Sequence, residues 1–142
     1  MQKTDNEEVK EYLKGYSRAV RQMNRLEERI KEIRSQGMGG AIRIDGMPHA
    51  HNNTDLSSYA AMLDQEERNY IEARYERIKI CQKITKQIEQ LENEDEKDVL
   101  MYRYIGLLKW EDICVKMNIS WKQVHRVHSK ALASFKNKND ID

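Results

Sequence analysis

The stretch Trp110–Ser129 decides the fold of the C-terminal part of the chain, and its sequence is WEDICVKMNISWKQVHRVHS. Two short helices that cross at roughly 90–120° need apolar residues at fixed places on both helices and in the turn between them. The stretch provides five such residues, which are Ile113, Met117, Ile119, Val124 and Val127. This spacing predicts a helix-turn-helix. The alternative is an ordinary helical hairpin.

The turn carries the residue types that such a motif needs. Asn118 tolerates a left-handed backbone conformation better than any residue except glycine, which is the usual residue at this place. Cys114 is small, as required where the two helices lie closest. Ser120 can accept a backbone N–H bond at the start of the second helix. We therefore expect one helix over Trp110–Met117 and a second from Ser120 or Trp121 to about Phe135.

Charge is distributed unevenly along the 142 residues. The chain has 25 Lys and Arg against 24 Asp and Glu, a formal net charge of +1 that excludes a uniformly basic nucleic-acid coat. Residues 116–139, however, hold six basic and no acidic side chains, whereas residues 86–98 hold six acidic and two basic ones. The second helix of the motif is therefore predicted to be a cationic element that phosphate groups attract.

The early residues of the second helix face the major groove in a helix-turn-helix. Gln can pair with adenine there, and Arg or Lys with guanine. Trp121 could contact a thymine methyl or cover the DNA backbone, or it could pack on Trp110 or a partner subunit. His125 and His128 are expected to face DNA or solvent. The predicted DNA-contacting residues are Ser120, Trp121, Lys122, Gln123, His125, Arg126, Ser129 and Lys130.

The N-terminal part predicts two long helices. Apolar residues recur at steps of three and four, which is typical of a helix packed on another helix. The first set is Val9, Leu13, Tyr16, Val20, Met23, Leu26, Ile30 and Ile33, and the second runs from Leu56 to Leu91 with Thr54 or Asp55 as candidate N-cap. Residues 37–53 hold four of the six glycines and the single proline, so a loop is predicted there. An antiparallel hairpin and pairing between two chains both satisfy this pattern.

Two smaller features complete the prediction of elements. Acidic residues at 94–98 favour the start of a helix near Asp95, and Gly106 suits its C-terminal cap. Four arginines share one helical face of the first long helix, where they indicate either a solvated face paired with Glu or a phosphate-contacting stripe. These are Arg18, Arg21, Arg25 and Arg29.

The fold class that follows is all-α. Residues 1–93 are predicted to form two long helices joined by the Gly-rich loop 37–53, as an oligomerisation or interaction part in a hairpin or coiled coil. Residues 94–138 are predicted to form a helix-turn-helix DNA-binding domain. The chain is 39% hydrophobic and 35% charged, which favours thin, elongated helices over a large spherical core.

Other chemistry has little support in the sequence. His49 and His51 could suggest a metal site with Asp55, but such sites need three or four converging ligands, and solvated loop histidines are the default. We find no Gly-rich phosphate loop and no nucleophile elbow, so we expect neither an enzyme nor a cofactor or metal. The sequence has no apolar run of membrane-span length and no signal region. Cys81 and Cys114 fit reduced thiols in a cytoplasmic protein.

The C-terminal stretch resembles region 4 of sigma-70 factors. The similarity lies in Asp98–Ile105 (DVLMYRYI), Trp110–Ile113 (WEDI), Ile119-Ser120, Val124 and Ala131-Leu132. The layout as a whole resembles phage-encoded late transcriptional regulators of the RinA/ArpU type, which pair a helical N-terminal half with a sigma-region-4-like domain. The chain departs from the sigma pattern at Asn118, Trp121, His125 and His128, and it lacks a region similar to the −10-reading part of a sigma factor.

The resemblance and the basic helix together predict a sequence-specific, DNA-binding transcriptional regulator. Its expected partners are double-stranded promoter or operator DNA, RNA polymerase, and a second copy bound through the long helices. It would work in the cytoplasm of a bacterial host. The alternative is a helical adaptor or DNA-packaging-type protein, whose helix-turn-helix docks on protein or binds DNA without reading sequence.

Overall fold

A computed structural model describes residues 2–42 and 53–139 of the chain. All secondary structure in these two ranges is helical, which confirms the predicted all-α class. The helices are α1 (Gln2–Leu13), α2 (Gly15–Ile42), α3 (Asn53–Glu89), α4 (Glu94–Leu100), α5 (Trp110–Met117) and α6 (Trp121–Lys138), and a π-helical segment, Met101–Ile105, follows α4. None of the helices in the described residues is long and apolar enough to cross a membrane.

The first long helix has an interruption at Lys14 that the sequence did not predict. Here α1 ends and α2 begins, and the guanidinium of Arg18 donates a 2.6 Å hydrogen bond to the Glu11 carbonyl. That carbonyl would be the acceptor for the Gly15 N–H in an unbroken helix. At the break, the Arg18 side chain therefore replaces the Gly15 N–H as the hydrogen-bond donor to the Glu11 carbonyl.

The boundaries of the central loop differ from the prediction. The helix α2 continues to Ile42 and α3 begins at Asn53, one residue before the first predicted cap. Glycine lowers helix stability by about 1 kcal/mol per residue but does not forbid a helix, so the glycines from Gly37 onward did not end α2. The rest of the predicted loop, residues 43–52, lies outside the described residues, as do His49 and His51.

The described helices form two compact units. The first comprises residues of Met1–Ala19 and Arg77–Asp142, and the second is Val20–Glu76. All the largest fully buried side chains belong to the first unit, and they are Phe135, Leu13, Ile88, Leu100, Ile113, Leu132, Val9, Val99 and Val124. The N-terminal helix α1 thus shares a core with α4, α5 and α6, and it packs directly on α6.

Helix α1 and the start of α2 contact the last turns of α3 within this first unit. The Tyr12 hydroxyl donates a 2.6 Å hydrogen bond to Gln87, and Arg77 donates a 3.0 Å bond to the Tyr16 hydroxyl. Residues that come later in the first segment contact residues that come earlier in α3. The two segments therefore run antiparallel in this unit.

The second unit has a smaller core. Its buried side chains among the described residues are Ile30, Ile33 and Ala73, and ion pairs join Arg29 to Glu66 and Arg34 to Glu67. Several apolar residues of the predicted second seam are exposed on α3, namely Leu56, Ile71, Tyr75 and, in the first unit, Ile78. Within one chain the middle of the predicted seam on α3 is therefore not buried, whereas Ile84, Ile88 and Leu91 are buried as expected.

The four arginines on one face of the first long helix do not all fit one interpretation, since among the described residues some are paired with Glu and others are not. Arg18 pairs with Glu11 at 3.2 Å and Arg29 with Glu66 at 3.2 Å, as expected for a solvated face paired with Glu. Arg21 and Arg25 are exposed and form no ion pair with another described residue. The stripe therefore has two neutralised and two available cations.

The connection from α4 to α5 is tightly built. Asn93 caps α4 by accepting the Glu96 N–H at 3.0 Å, so this helix begins within one residue of the prediction. Gly106 ends the π-helical segment, as predicted for a cap, but with an ordinary right-handed φ of −72°. A Cβ at Gly106 would lie 2.9 Å from the Tyr102 carbonyl oxygen, which explains the glycine. Leu107 takes the left-handed conformation instead, with φ of 56°.

Candidate nucleic-acid interface

Helix α5 has the bounds expected from the sequence, and α6 begins at Trp121 as expected but ends at Lys138, beyond the predicted end near Phe135. The turn between the two helices has the expected conformation. Asn118 is left-handed, with φ of 54° and ψ of 49°. Ser120 accepts the Gln123 N–H at 3.1 Å, while the Gln123 side chain accepts the Ser120 N–H at 3.1 Å. This reciprocal capping box satisfies two backbone donors at the start of α6. The beginning of α6 is therefore held in place by its own sequence.

The apolar residues of the stretch separate α6 into an inner and an outer face. Ile113 of α5 and Val124 of α6 are fully buried, while Met117, Ile119 and Val127 are partly buried. The inner face of α6 continues through a set of buried residues, which are His128, Ala131, Leu132 and Phe135. The outer face is exposed to solvent.

Three cations stand on the exposed side of the first part of α6. Lys122, Arg126 and Lys130 follow one another at a spacing of four residues, and all three are exposed. Lys116 near the end of α5 is exposed as well. None of these four side chains forms an ion pair with another described residue, whereas lysines later in α6 do. Their charges are available to an anionic ligand.

The two lysines at the end of α6 form surface ion pairs with carboxylates of the same chain. Lys136 lies 3.0 Å from the Asp5 carboxylate and 3.2 Å from that of Glu8, both on α1. Hydrogen bonds with these two carboxylates raise the pKa of Lys136, and the bond with Lys136 lowers the pKa of Asp5. Lys138 lies 3.3 Å from Glu92. The basic run of residues 116–139 is therefore not one uniform cationic surface.

A row of aromatic rings supports the first turns of α6. Arg103 lies over the Trp110 ring at 4.5 Å, and the ring of Trp110 lies 4.6 Å from His128 and 4.8 Å from His125. Trp121 packs edge-on against His125 at 4.7 Å. The row begins at the buried His128, continues through the partly buried Trp110 and His125, and ends at Trp121, which is 54% exposed.

The inner end of the row is uncharged at neutral pH. The hydroxyl of Tyr104 and Nε2 of His128 share a 2.7 Å hydrogen bond. Burial lowers the pKa of His128 to about 3, with smaller contributions from Lys10, His125 and Arg103, and burial raises the pKa of Tyr104 to about 12. His128 is therefore a neutral core residue, and the expectation that it faces DNA or solvent was wrong.

The predicted DNA-contacting residues fall into three groups. Lys122, Arg126, Ser129 and Lys130 lie together on the exposed side of α6. Ser120 and Gln123 are exposed but bonded to each other in the capping box. His125 is half-buried between the two tryptophan rings, and Trp121 packs on it rather than directly on Trp110.

The sequence interpretation assigned no supporting role to Arg103 or Tyr104, and it named Trp110 only as one possible packing partner of Trp121. Arg103, Tyr104 and Trp110 position the aromatic row, and Arg103 also donates a 3.0 Å hydrogen bond to the Leu108 carbonyl. The sequence did contain one signal for the part of the aromatic row that lies on α6. Trp121, His125 and His128 recur at helical spacing and so lie along one side of that helix.

The family comparison places these helices in a known group of sequences. The model of one family, described as a protein of unknown function (DUF1492), matches residues 51–136. The chain belongs to the DUF1492 family. We found no match to the chain among curated proteins or among solved structures.

The DUF1492 match extends through α4, α5 and most of α6, and it includes every residue of the aromatic row. It leaves out α1, and therefore Asp5 and Glu8, which bind Lys136. The part of α6 with available cations is thus DUF1492 sequence, whereas the two carboxylates that pair with Lys136 are not; Glu92, which pairs with Lys138, lies within the match. In the described ranges no group of three or more His, Cys, Asp or Glu side chains could hold a metal ion.

Proposed function

We propose that this DUF1492 protein is a sequence-specific DNA-binding transcriptional regulator, not an enzyme. It would insert α6 into the major groove of promoter or operator DNA, with α5 and α6 acting as a helix-turn-helix. One observation carries the proposal. Lys122, Arg126 and Lys130 form an unpaired cationic row on the exposed side of a helix whose start is held by a left-handed turn and a capping box.

The arrangement suits the two tasks of a reading helix. Lysine and arginine side chains that neutralise phosphates release counterions, which supplies sequence-independent affinity. Arg126 and Lys122 could each pair with a guanine. The side chain of Gln123 lies beside them, with its oxygen bonded to the Ser120 N–H and its amide nitrogen outside the capping box. A helix held by a cap and a packed inner face presents these groups with little loss of conformational freedom on binding.

The sequence resemblances add a context to this proposal. The similarity to region 4 of sigma-70 factors and to RinA/ArpU-type regulators suggests a phage or prophage protein that acts at late promoters together with RNA polymerase. A second copy bound through the long helices would make a dimer, which would require DNA half-sites separated by whole helical turns.

A second candidate is a helical adaptor that docks on protein, or that binds DNA without reading its sequence. The observation that favours it is exposed apolar surface beside the same motif, since Val115 is 80% exposed and Leu107 is 42% exposed. Such surface is ordinary in small amounts but marks contact sites when it is contiguous.

Selection from a randomised duplex library, at near-physiological salt, separates the two candidates. A regulator enriches one motif, and its affinity for that motif exceeds its nonspecific affinity by about a thousandfold or more. Enrichment of no motif above salt-sensitive nonspecific binding would contradict the proposal and favour the adaptor. Light scattering of the same sample tells a monomer from a dimer.

A further inference from the structure

Trp121 is an unusual residue to find half-exposed on a surface rich in unpaired cations. It is the first residue of α6, and 54% of its surface is open to solvent. Lys122 follows it directly and Arg126 is five residues on. Its flat apolar ring therefore stands beside the charged groups that would meet DNA.

The ring is held in place from behind. The ring of Trp121 packs edge-on against that of His125 at 4.7 Å, and the His125 ring packs on that of Trp110 at 4.8 Å. The guanidinium of Arg103 lies over the face of the Trp110 ring at 4.5 Å. Trp110 also contacts the buried His128, which is bonded to Tyr104. An exposed indole supported by a packed row loses little conformational entropy when it contacts a ligand.

The chemistry of the major groove leaves one apolar partner for such a ring. The base edges there present hydrogen-bond donors and acceptors, together with the C5-methyl group of thymine. We propose that Trp121 is a specificity-determining residue that contacts a thymine methyl at one position of the DNA site. This inference rests on the proposed function and deepens it, because it names the base that the first turn of α6 recognises.

Replacing thymine by deoxyuridine, which lacks only the methyl, tests the contact. The probe is the duplex enriched in the selection above, with one thymine at a time replaced by deoxyuridine. Burial of one methyl-sized apolar group corresponds to about a fourfold change in affinity. We expect the wild-type protein to bind one of these duplexes about fourfold more weakly than the thymine duplex.

The variant Trp121→Ala makes the test a double-mutant cycle. It should bind the thymine duplex about fourfold or more weakly and should no longer distinguish thymine from deoxyuridine at that position. Trp121→Phe, which keeps an apolar ring, should retain most of the discrimination. His125→Ala, which removes the support of the indole, should reduce it. Val115→Ala removes apolar surface on α5 and serves as the matched control with unchanged discrimination.

Each other outcome overturns the inference in a recognisable way. If Trp121→Ala weakens binding equally on the thymine and deoxyuridine duplexes, the indole covers the sugar-phosphate backbone. If it changes neither, Trp121 faces a protein partner or solvent. In both cases the enriched site still binds and the proposed function stands. If the selection enriches no site, both the inference and the proposed function fail.

Discussion

Both ends of α6 are positively charged, but the cations form ion pairs with described residues at only one of them. In the first part, Trp121–Lys130, the cations face solvent without an ion-pair partner among the described residues. In the second part, Ala131–Lys138, both lysines bind carboxylates of the same chain. A run of basic residues in the sequence therefore indicates a candidate nucleic-acid surface only where the fold leaves those side chains without ion pairs to carboxylates of the same chain.

The second part also does more structural work. Ala131, Leu132 and Phe135 are buried, and the Phe135 ring lies 5.9 Å from that of Tyr12 on α1. The first part owes its position to the buried Val124 and His128 and also to the turn, the cap and the aromatic row. On the proposed function, Trp121–Lys130 is the part that would contact DNA, whereas Ala131–Lys138 anchors α6 to α1 and the core.

The largest expected effect comes from breaking the anchor. Phe135→Ala removes a fully buried ring from the contact with Tyr12, so we expect a loss of about 3–5 kcal/mol in the free energy of unfolding. Urea denaturation followed by circular dichroism measures this loss. Val115→Ala, at a residue 80% exposed, is the control and should change stability by less than about 0.5 kcal/mol. Equal effects of the two changes would contradict the anchoring role.

A pH dependence is expected from the inner end of the aromatic row. The unfolded chain protonates a histidine near pH 6.5, whereas native His128 has a pKa of about 3. As the pH falls from 6.5 toward 3, the unfolded state gains a proton that the native state does not, so stability is lost in that window. His128 contributes at most about 1.4 kcal/mol per pH unit there.

The substitution His128→Gln isolates this contribution. Chemical denaturation at a series of pH values should show a shallower decline below pH 6.5 for the variant than for the wild type. A decline of the same slope in both proteins would show that His128 is not the group responsible.

A smaller effect is expected at the turn that aims the first part of α6. Asn118→Ala places an alanine at φ of 54° and should cost about 1 kcal/mol of stability. Asn118→Gly, which suits the same conformation, should be neutral within a few tenths of a kcal/mol. Thermal unfolding of the two variants measures the difference. Equal destabilisation by both would mean that the asparagine side chain, rather than its backbone conformation, matters.

The smallest effect is expected on the salt dependence of DNA binding, when a lysine in the second part of α6 is freed from its ion pairs. Asp5→Asn with Glu8→Gln frees Lys136 from its two carboxylates. If Lys136 then reaches a phosphate, the slope of log affinity against log salt should steepen by about 0.9. The matched control is Glu7→Gln with Glu11→Gln, which removes two α1 carboxylates that pair with Lys10, Lys14 and Arg18 instead. The same salt slope for both double variants would contradict the role assigned to Asp5 and Glu8.

Local physics made much of α5 and α6 predictable from the sequence. The left-handed Asn118, the Ser120 cap and the start of α6 depend on residues within four positions of one another. The same holds for the start of α4 near Asp95. Such features need no knowledge of the rest of the chain.

The features that the sequence did not predict depend on distant residues or on a shift in hydrogen-bond register. Asp5 and Lys136 are 131 positions apart, so no periodicity relates them. The burial of His128 follows from Tyr104 and Trp110, which lie on other elements. The π-helical segment Met101–Ile105 needs a hydrogen bond from Gly106 to the Met101 carbonyl, which the residue types alone do not specify.

Two double variants of α6 test the central claim most directly. Lys122→Ala with Arg126→Ala and Lys136→Ala with Lys138→Ala each remove two positive charges from the same helix. Binding of both to the selected duplex is measured by fluorescence anisotropy at one stated salt concentration. We predict that the first pair weakens binding by about tenfold to a hundredfold and that the second changes it by less than about twofold. Equal losses, or a larger loss from the second pair, would contradict the claim that DNA is bound by the first part of α6.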